Sequence, residues 1–232
     1  MKELKKKVET AILEGLAKDG FKKKGEGTCI RILYENIVQM IGFQFKSHIR
    51  GTTTLRMTTG LLYKDIGEIE FQIRGYSRWK YCQPMIGFDV IHVMPDNTRS
   101  SWDFSIDDTD IIFEEKIKTV LAAISSYIFP YLERNSTYEN LIYELDTNFF
   151  WGVGSNLIPM YYYMKGNKEE AFRYIEKAIS RMESKIPEEE LGEYNKTYRT
   201  NLGNDICPLL NCRNLHCYLI FVEQFKAFLN SK

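Results

Sequence analysis

Residues 37–45 read Ile-Val-Gln-Met-Ile-Gly-Phe-Gln-Phe, a run of β-branched and aromatic residues without proline. It is too short for a typical buried helix and predicts a strand. At period two, Ile37, Ile41, Phe43 and Phe45 share one face, with Gln39 as its lone polar member. Val38, Met40, Gly42, Gln44 and Lys46 share the other. Such a run specifies the central strand of an antiparallel sheet with one strongly apolar face.

The flanking sequence supplies partners for that strand. Cys29 to Tyr34 reads as a short strand joined to it by Glu35-Asn36, where Asn tolerates the positive φ of tight hairpins. After a polar turn at His48 to Thr52, Leu55, Met57, Thr59 and Leu61 alternate in a third strand. Ile69, Phe71 and Ile73 predict a fourth, Phe88 to Met94 a fifth, and Trp102, Phe104 and Ile106 a sixth. With no helix expected between them, the strands are expected to form a meander. Ahead of the sheet, Leu4, Val8, Ala11, Ile12, Gly15 and Leu16 recur at helical spacing over residues 3–18. The Lys5-Lys6-Lys7 run reads as the solvated face of that helix.

From Asp107 the period changes to about 3.6. Phe113, Ile117, Val120, Leu121, Ile124 and Ile128 line one helix face, ended or kinked at Pro130. Asp107, Asp108 and Asp110 read as helix-dipole partners, not metal ligands. Ser136-Thr137-Tyr138-Glu139 has capping-box form. Gly152 and Gly154 are turn glycines; with no third glycine or Lys-Ser/Thr following, they make no phosphate loop, and no cofactor is expected. Leu157 to Lys165, a Gly166-Asn167 turn and a second helix burying Ala171, Tyr174, Ile175, Ala178 and Met182 predict an αα-hairpin. It resembles one tetratricopeptide-type hairpin, but no second copy exists to stack on it. Pro187 opens an acidic helix, and a last helix is expected from about Pro208 to Leu229. The reading is therefore an α+β protein: residues 1–106 a helix-backed antiparallel β-meander, residues 107–232 an all-helical half, together one compact unit for want of a linker.

Composition narrows function more than it names it. Lys plus Arg and Asp plus Glu each number 31, so no global charge argues for a polyanionic partner. Five cysteines form no disulfide-framework spacing, and no signal-peptide core or membrane-length apolar run is visible. The expectation is a cytoplasmic protein with reduced thiols and no membrane association. Cys207, Cys212, His216 and Cys217 fall within eleven residues. Successive cysteines five apart turn about 140° from each other on a helix, so packing is preferred to zinc and no metal is expected. The three histidines, His48, His92 and His216, lie in no Gly-x-Ser-x-Gly or His-Glu-x-x-His context. No catalytic residue can be assigned; an enzyme without recognisable motifs stays as an alternative.

The segment Arg74-Gly75-Tyr76-Ser77-Arg78-Trp79-Lys80-Tyr81 alternates basic and aromatic residues. That composition suits protein hot spots and single-stranded nucleic acid. With zero net charge, Arg74, Tyr76, Arg78, Trp79 and Lys80 are read as partner-binding toward a protein, with nucleic acid the weaker alternative. The outward sheet face, bearing Arg31, Gln44, Arg56 and Thr58, is a second candidate surface.

Gly20 to Gly25, Gly42-Phe43-Gln44-Phe45-Lys46-Ser47, Leu55 to Tyr63, the strand at Trp102 and the helix after Asp108 follow one another in an order that resembles a known family. It is a bacterial domain of unknown function, the one numbered four-three-zero-four, matched over roughly residues 1–145. The resemblance implies an α+β fold and brings no established activity, so it transfers no catalytic residues. The functional expectation is a non-catalytic cytosolic binding module that masks another protein, as immunity-type proteins do.

Overall fold

The structure, a computed structural model, describes residues 1–34, 36–74, 86–95, 100–147, 154–203 and 207–231. The chain is an α+β protein. Helix α1 (Lys2–Ala17) leads into β1 (Lys22–Gly25), β2 (Thr28–Leu33), β3 (Ile37–Ser47) and β4 (Thr52–Tyr63). Then come α2 (Lys64–Arg74), β5 (Ile86–Asp89), β6 (Ser101–Ser105) and α3 (Asp110–Ala123). Every strand pairing is antiparallel, in the order β1-β2-β3-β4-β5 with β6 also on β4. The run at 37–45 is the interior of β3, paired with β2 on one side and β4 on the other. The twelve-residue β4 offers its far edge to two strands end to end: β6 along Thr52 to Arg56 and β5 along Thr58 to Leu61.

Residues 69–73 are the main correction to the sequence reading. Ile69, Phe71 and Ile73 alternate, but Ile66 and Ile73 stand seven apart and are both buried on one face of helix α2. The seven-residue spacing outweighs the alternation, and Arg74 Nε donates to Glu70 Oε1 at 2.9 Å across one helical turn. The meander therefore stops at β4. The expected fifth strand also shortens: Val90 to His92 form a 3₁₀ turn in which Asp89 accepts from the Ile91 N–H. In the β2–β3 hairpin the positive φ belongs to Tyr34, at 51°, and not to Asn36.

Two compact units divide the chain. The first comprises Met1–Lys64 and Tyr81–Asn140. Its core joins Val8, Ile12 and Leu16 of α1, and Phe113, Ile117 and Val120 of α3, to Ile41, Phe43, Leu55, Met57, Leu61, Trp102 and Phe104 of the sheet. After α3, a π-helical turn (Ile124–Ile128) leads into α4 (Phe129–Arg134). Pro130 has no N–H for the Ser126 carbonyl, and the wider turn absorbs that mismatch without ending the helix. Gln39, fully buried among apolar neighbours on β3, is satisfied from both sides. It accepts from Arg31 Nε at 2.8 Å and donates to Ser136 Oγ at 2.8 Å. Ser136 passes its proton to the Leu132 carbonyl, so it is committed to the core. The cap of the next helix, α5 (Tyr138–Thr147), falls instead to Thr137, whose Oγ1 accepts from the Asn140 N–H at 3.3 Å.

The second unit comprises Asp65–Lys80 and Leu141–Lys232. After α5 it contains α6 (Gly154–Met164), α7 (Lys168–Glu183), α8 (Glu188–Thr197) and α9 (Arg213–Asn230). The αα-hairpin is α6 and α7. Gly166 takes φ 76°, and Asn167 Oδ1 accepts from the Glu170 N–H at 3.1 Å. Helix α9 starts at Arg213, later than expected, because residues 210–212 form a 3₁₀ turn that leaves Leu210 exposed. Among the described residues no helix is long and apolar enough to cross a membrane.

Candidate interaction surface and helical cleft

Of the expected partner-binding residues, Tyr76, Arg78, Trp79 and Lys80 lie outside the described residues. Arg74 ends α2 in its pair with Glu70. Arg56 is exposed on β4 opposite Gln44, with Ser101 across from it on β6. Arg31 does not share that face. It is the register partner of Gln39, and therefore points to the core side. There its Cζ stands 4.9 Å from the Phe21 ring centre and 5.2 Å from that of Phe129, while Nη1 donates to the Asp19 carbonyl at 3.2 Å.

The register fixes what surrounds Arg56. Gln44, Lys46, Thr54 and Asp103 occupy the same sheet face toward the β3–β4 hairpin. Thr54 Oγ1 donates to Asp103 Oδ1 at 2.6 Å and lies 2.8 Å from His48 Nε2. The hydroxyl stands between base and carboxylate, so this chain of contacts is not the order that activates a nucleophile through histidine. It does hold the three side chains in place.

At the end of that face the hairpin turns through Arg50 and Gly51, both with positive φ, 79° and 72°. An arginine in this conformation costs about 1 kcal/mol or more, so the turn is held by its surroundings. The Ile106 N–H donates to the Gly51 carbonyl at 3.0 Å, and a Cβ on Gly51 would meet Ile106 Cδ1 at 2.6 Å. This contact joins the hairpin tip to the connection between β6 and α3. The two segments expose Ile49 (92%) and Ile106 (62%), and the first turn of α3, which follows, exposes Ile111 (72%) and Ile112 (43%). The turn read from sequence as polar thus carries the most exposed of these side chains. Its signal was there: one isoleucine between His48 and Arg50, in a turn where nothing requires an apolar residue.

In the helical unit, α5, α6 and α7 enclose a cleft of about 390 Å³. It is lined by Ile142 and Asp146 of α5, Ile158 and Tyr162 of α6, and Glu170, Arg173, Tyr174 and Lys177 of α7. Asp146 accepts from Lys177 Nζ at 2.9 Å and from Arg181 Nη1 at 2.7 Å. Partial burial works to raise the Asp146 carboxyl, but these two cations outweigh it and hold the group below its ordinary value. Burial, reinforced by Glu170 and Asp146, raises the Tyr162 phenol; burial and Asp146 push that of Tyr174 up to about 12. Sequence reasoning missed this cleft, since Asp146 meets its cations 31 and 35 residues away.

In the C-terminal cluster Cys207, Cys212 and His216 are buried and Cys217 is exposed. His216, on α9, has Nδ1 3.1 Å from the Tyr194 hydroxyl. Burial pushes Cys212 up to about 11, which suppresses thiolate chemistry at neutral pH. Among the described residues no group of three or more His, Cys, Asp or Glu side chains is placed to hold a metal ion. His92, within the expected fifth strand, is exposed on the 3₁₀ turn. Asp108 is tied to Lys116 Nζ at 2.7 Å, and Asp110 to Lys7 at 3.2 Å. No family model, no curated protein and no solved structure matches the chain.

Proposed function

We propose that the protein is a non-catalytic binding module that docks on another protein through the β3–β4 tip and the sheet face beside it. The observation that carries this reading is the group of exposed isoleucines, Ile49, Ile106, Ile111 and Ile112, joined through the Gly51–Ile106 contact. Apolar side chains gathered at an exposed tip, next to a polar face, are the composition of an interface core and its rim. Charges of both signs flank them: Lys46, Arg50 and Arg56 against Asp103, Asp107 and Asp110. A mixed rim suits a protein surface better than an anionic membrane or a phosphate backbone, which reward one sign. In this reading the partner is masked, as by an immunity-type protein, in a cytosol that keeps the thiols reduced. The segment from Arg74 to Lys80 is a second contact region, and kinship of residues 1–145 to the bacterial family they resemble belongs to the same proposal.

The test compares tagged wild-type protein with an Ile49→Asp/Ile106→Asp double variant in host lysate, with and without nuclease. One discrete protein is expected on the wild type in both halves and absent from the double variant, whose thermal unfolding is unchanged. Equal retention by both forms contradicts the assignment of the tip. Retention that disappears with nuclease moves the reading to nucleic acid. An Arg78→Ala/Trp79→Ala variant that binds undiminished removes that segment from the interface.

A further inference from the structure

The cleft between α5, α6 and α7 is unlike the sheet tip, because its hydrogen-bonding groups do not balance. On the acceptor side, the Asp146 carboxylate is taken by Lys177 and Arg181, while Glu170 accepts from Arg173 through Oε1 and keeps Oε2 open, fewer spare acceptors than there are spare donors. On the donor side, an ammonium carries three N–H groups and a guanidinium five. Lys177 bonds only to Asp146 and Arg173 only to Glu170 among the described residues, so both keep donors in reserve. The Tyr162 and Tyr174 hydroxyls have no hydrogen-bond partner among the described residues. Their raised pKa values keep them protonated, and thus donors, throughout the neutral range. Charge alone does not decide, since Arg173 and Lys177 among the lining residues balance Asp146 and Glu170.

The remaining walls are apolar. Ile142, Ile158 and the two phenol rings supply a surface for a flat or aliphatic body, within a volume of about 390 Å³ that falls in the range of small-molecule sites. A cationic ligand is disfavoured, because the Tyr174 ring already has the Lys177 ammonium 5.9 Å from its centre. A compact inorganic anion would satisfy the donors and leave the apolar walls wet.

We propose that this cleft binds a small organic carboxylate with an apolar body, its carboxylate taken by Lys177, Arg173 and the two tyrosine hydroxyls. Charge-assisted hydrogen bonds are the stronger kind, so exchanging the carboxylate for an amide weakens binding about tenfold or more. Phenylacetate, phenylacetamide and inorganic phosphate serve as probes, titrated calorimetrically into the full chain. Phenylacetate is expected to bind at least about tenfold more tightly than the other two. Tyr174→Phe keeps the ring and the fold, and is expected to weaken phenylacetate about fivefold while leaving phenylacetamide less affected. Lys177→Met weakens it further; should that variant unfold, the Tyr174→Phe comparison decides alone. Equal affinity for acid and amide overturns the proposal. So does tighter binding of phosphate, undiminished binding by Tyr174→Phe, or no binding of phenylacetate at roughly 10 mM.

Discussion

In the sheet unit the Gln39 side chain is fully buried, and both ends of its amide are used, by Arg31 and by Ser136. Among the described residues of the helical unit, the Tyr218 hydroxyl on α9 is buried with no hydrogen-bond partner, and the cleft phenols Tyr162 and Tyr174 have none. The contrast follows from how the two units are built. Antiparallel register pins each residue opposite a defined partner, so a polar side chain placed in the sheet core is matched across strands. Helices pack through side-chain tips, and a tyrosine long enough to fill a gap carries its hydroxyl wherever the ring ends. The sheet unit offers a fixed surface at its tip; the helical unit holds donors in reserve.

The largest expected effect strikes the satisfied network. Gln39→Leu leaves the Arg31 guanidinium and the Ser136 hydroxyl short of a partner inside the core, and is expected to cost about 3 kcal/mol in urea unfolding. A loss below about 1 kcal/mol would mean that water enters the network and that the sheet unit is less closed than described. Tyr218→Phe probes the other side of the contrast. Burial holds the Tyr218 phenol far above its ordinary pKa. Removing a hydroxyl that makes no bond is expected to stabilise the protein by about 1 kcal/mol. Destabilisation would show that the hydroxyl has a partner after all.

A smaller effect concerns acid. The Asp146 carboxyl titrates below its ordinary value of 3.8 in the folded chain because Lys177 and Arg181 favour its charged form. Its contribution is therefore fully present above about pH 5 and is lost as the pH falls through the depressed native value. The side chains of Asp146, Lys177 and Arg181 are 30%, 47% and 37% exposed, so solvent screening keeps the contribution below about 1 kcal/mol. Melting curves of wild type and Asp146→Asn are expected to differ at pH 6, with the gap narrowing as the pH falls below 3.8. A constant gap would contradict the assignment. Smallest of all, Ile49→Asp is expected to move stability by less than about 0.5 kcal/mol, since its side chain touches little of its own chain.

Much of the architecture was legible in the sequence because local pattern determined it. The strand at 37–45, the line from Phe113 to Ile128 and the Gly166-Asn167 turn each read correctly, since each depends on near neighbours, whereas the burial of Val38 and Met40 on the second face of that strand did not show in its alternation. Residues 69–73 misled because Ile69, Phe71 and Ile73 fit period two better than a helix face, and only the seven-residue spacing of Ile66 and Ile73 points to the helix. Ser136 looked like a cap until Gln39, 97 residues away, claimed its hydroxyl. Arg56 was legible as exposed, yet Ile49 and Ile106 were not legible as neighbours, because their meeting depends on a hairpin touching a later connection. The cleft was hidden for the same reason: its ion pairs join α5 to α7.

The most direct test of the proposed interface places a photo-crosslinking amino acid at position 49 and, as a control, at exposed Glu189 on α8. Irradiation in host lysate is expected to give one discrete adduct from position 49. That adduct should be insensitive to nuclease and abolished by Ile106→Asp, with no counterpart from position 189. Identical adduct patterns from both positions, or none from position 49, would contradict the assignment of the isoleucine tip as the protein's binding surface.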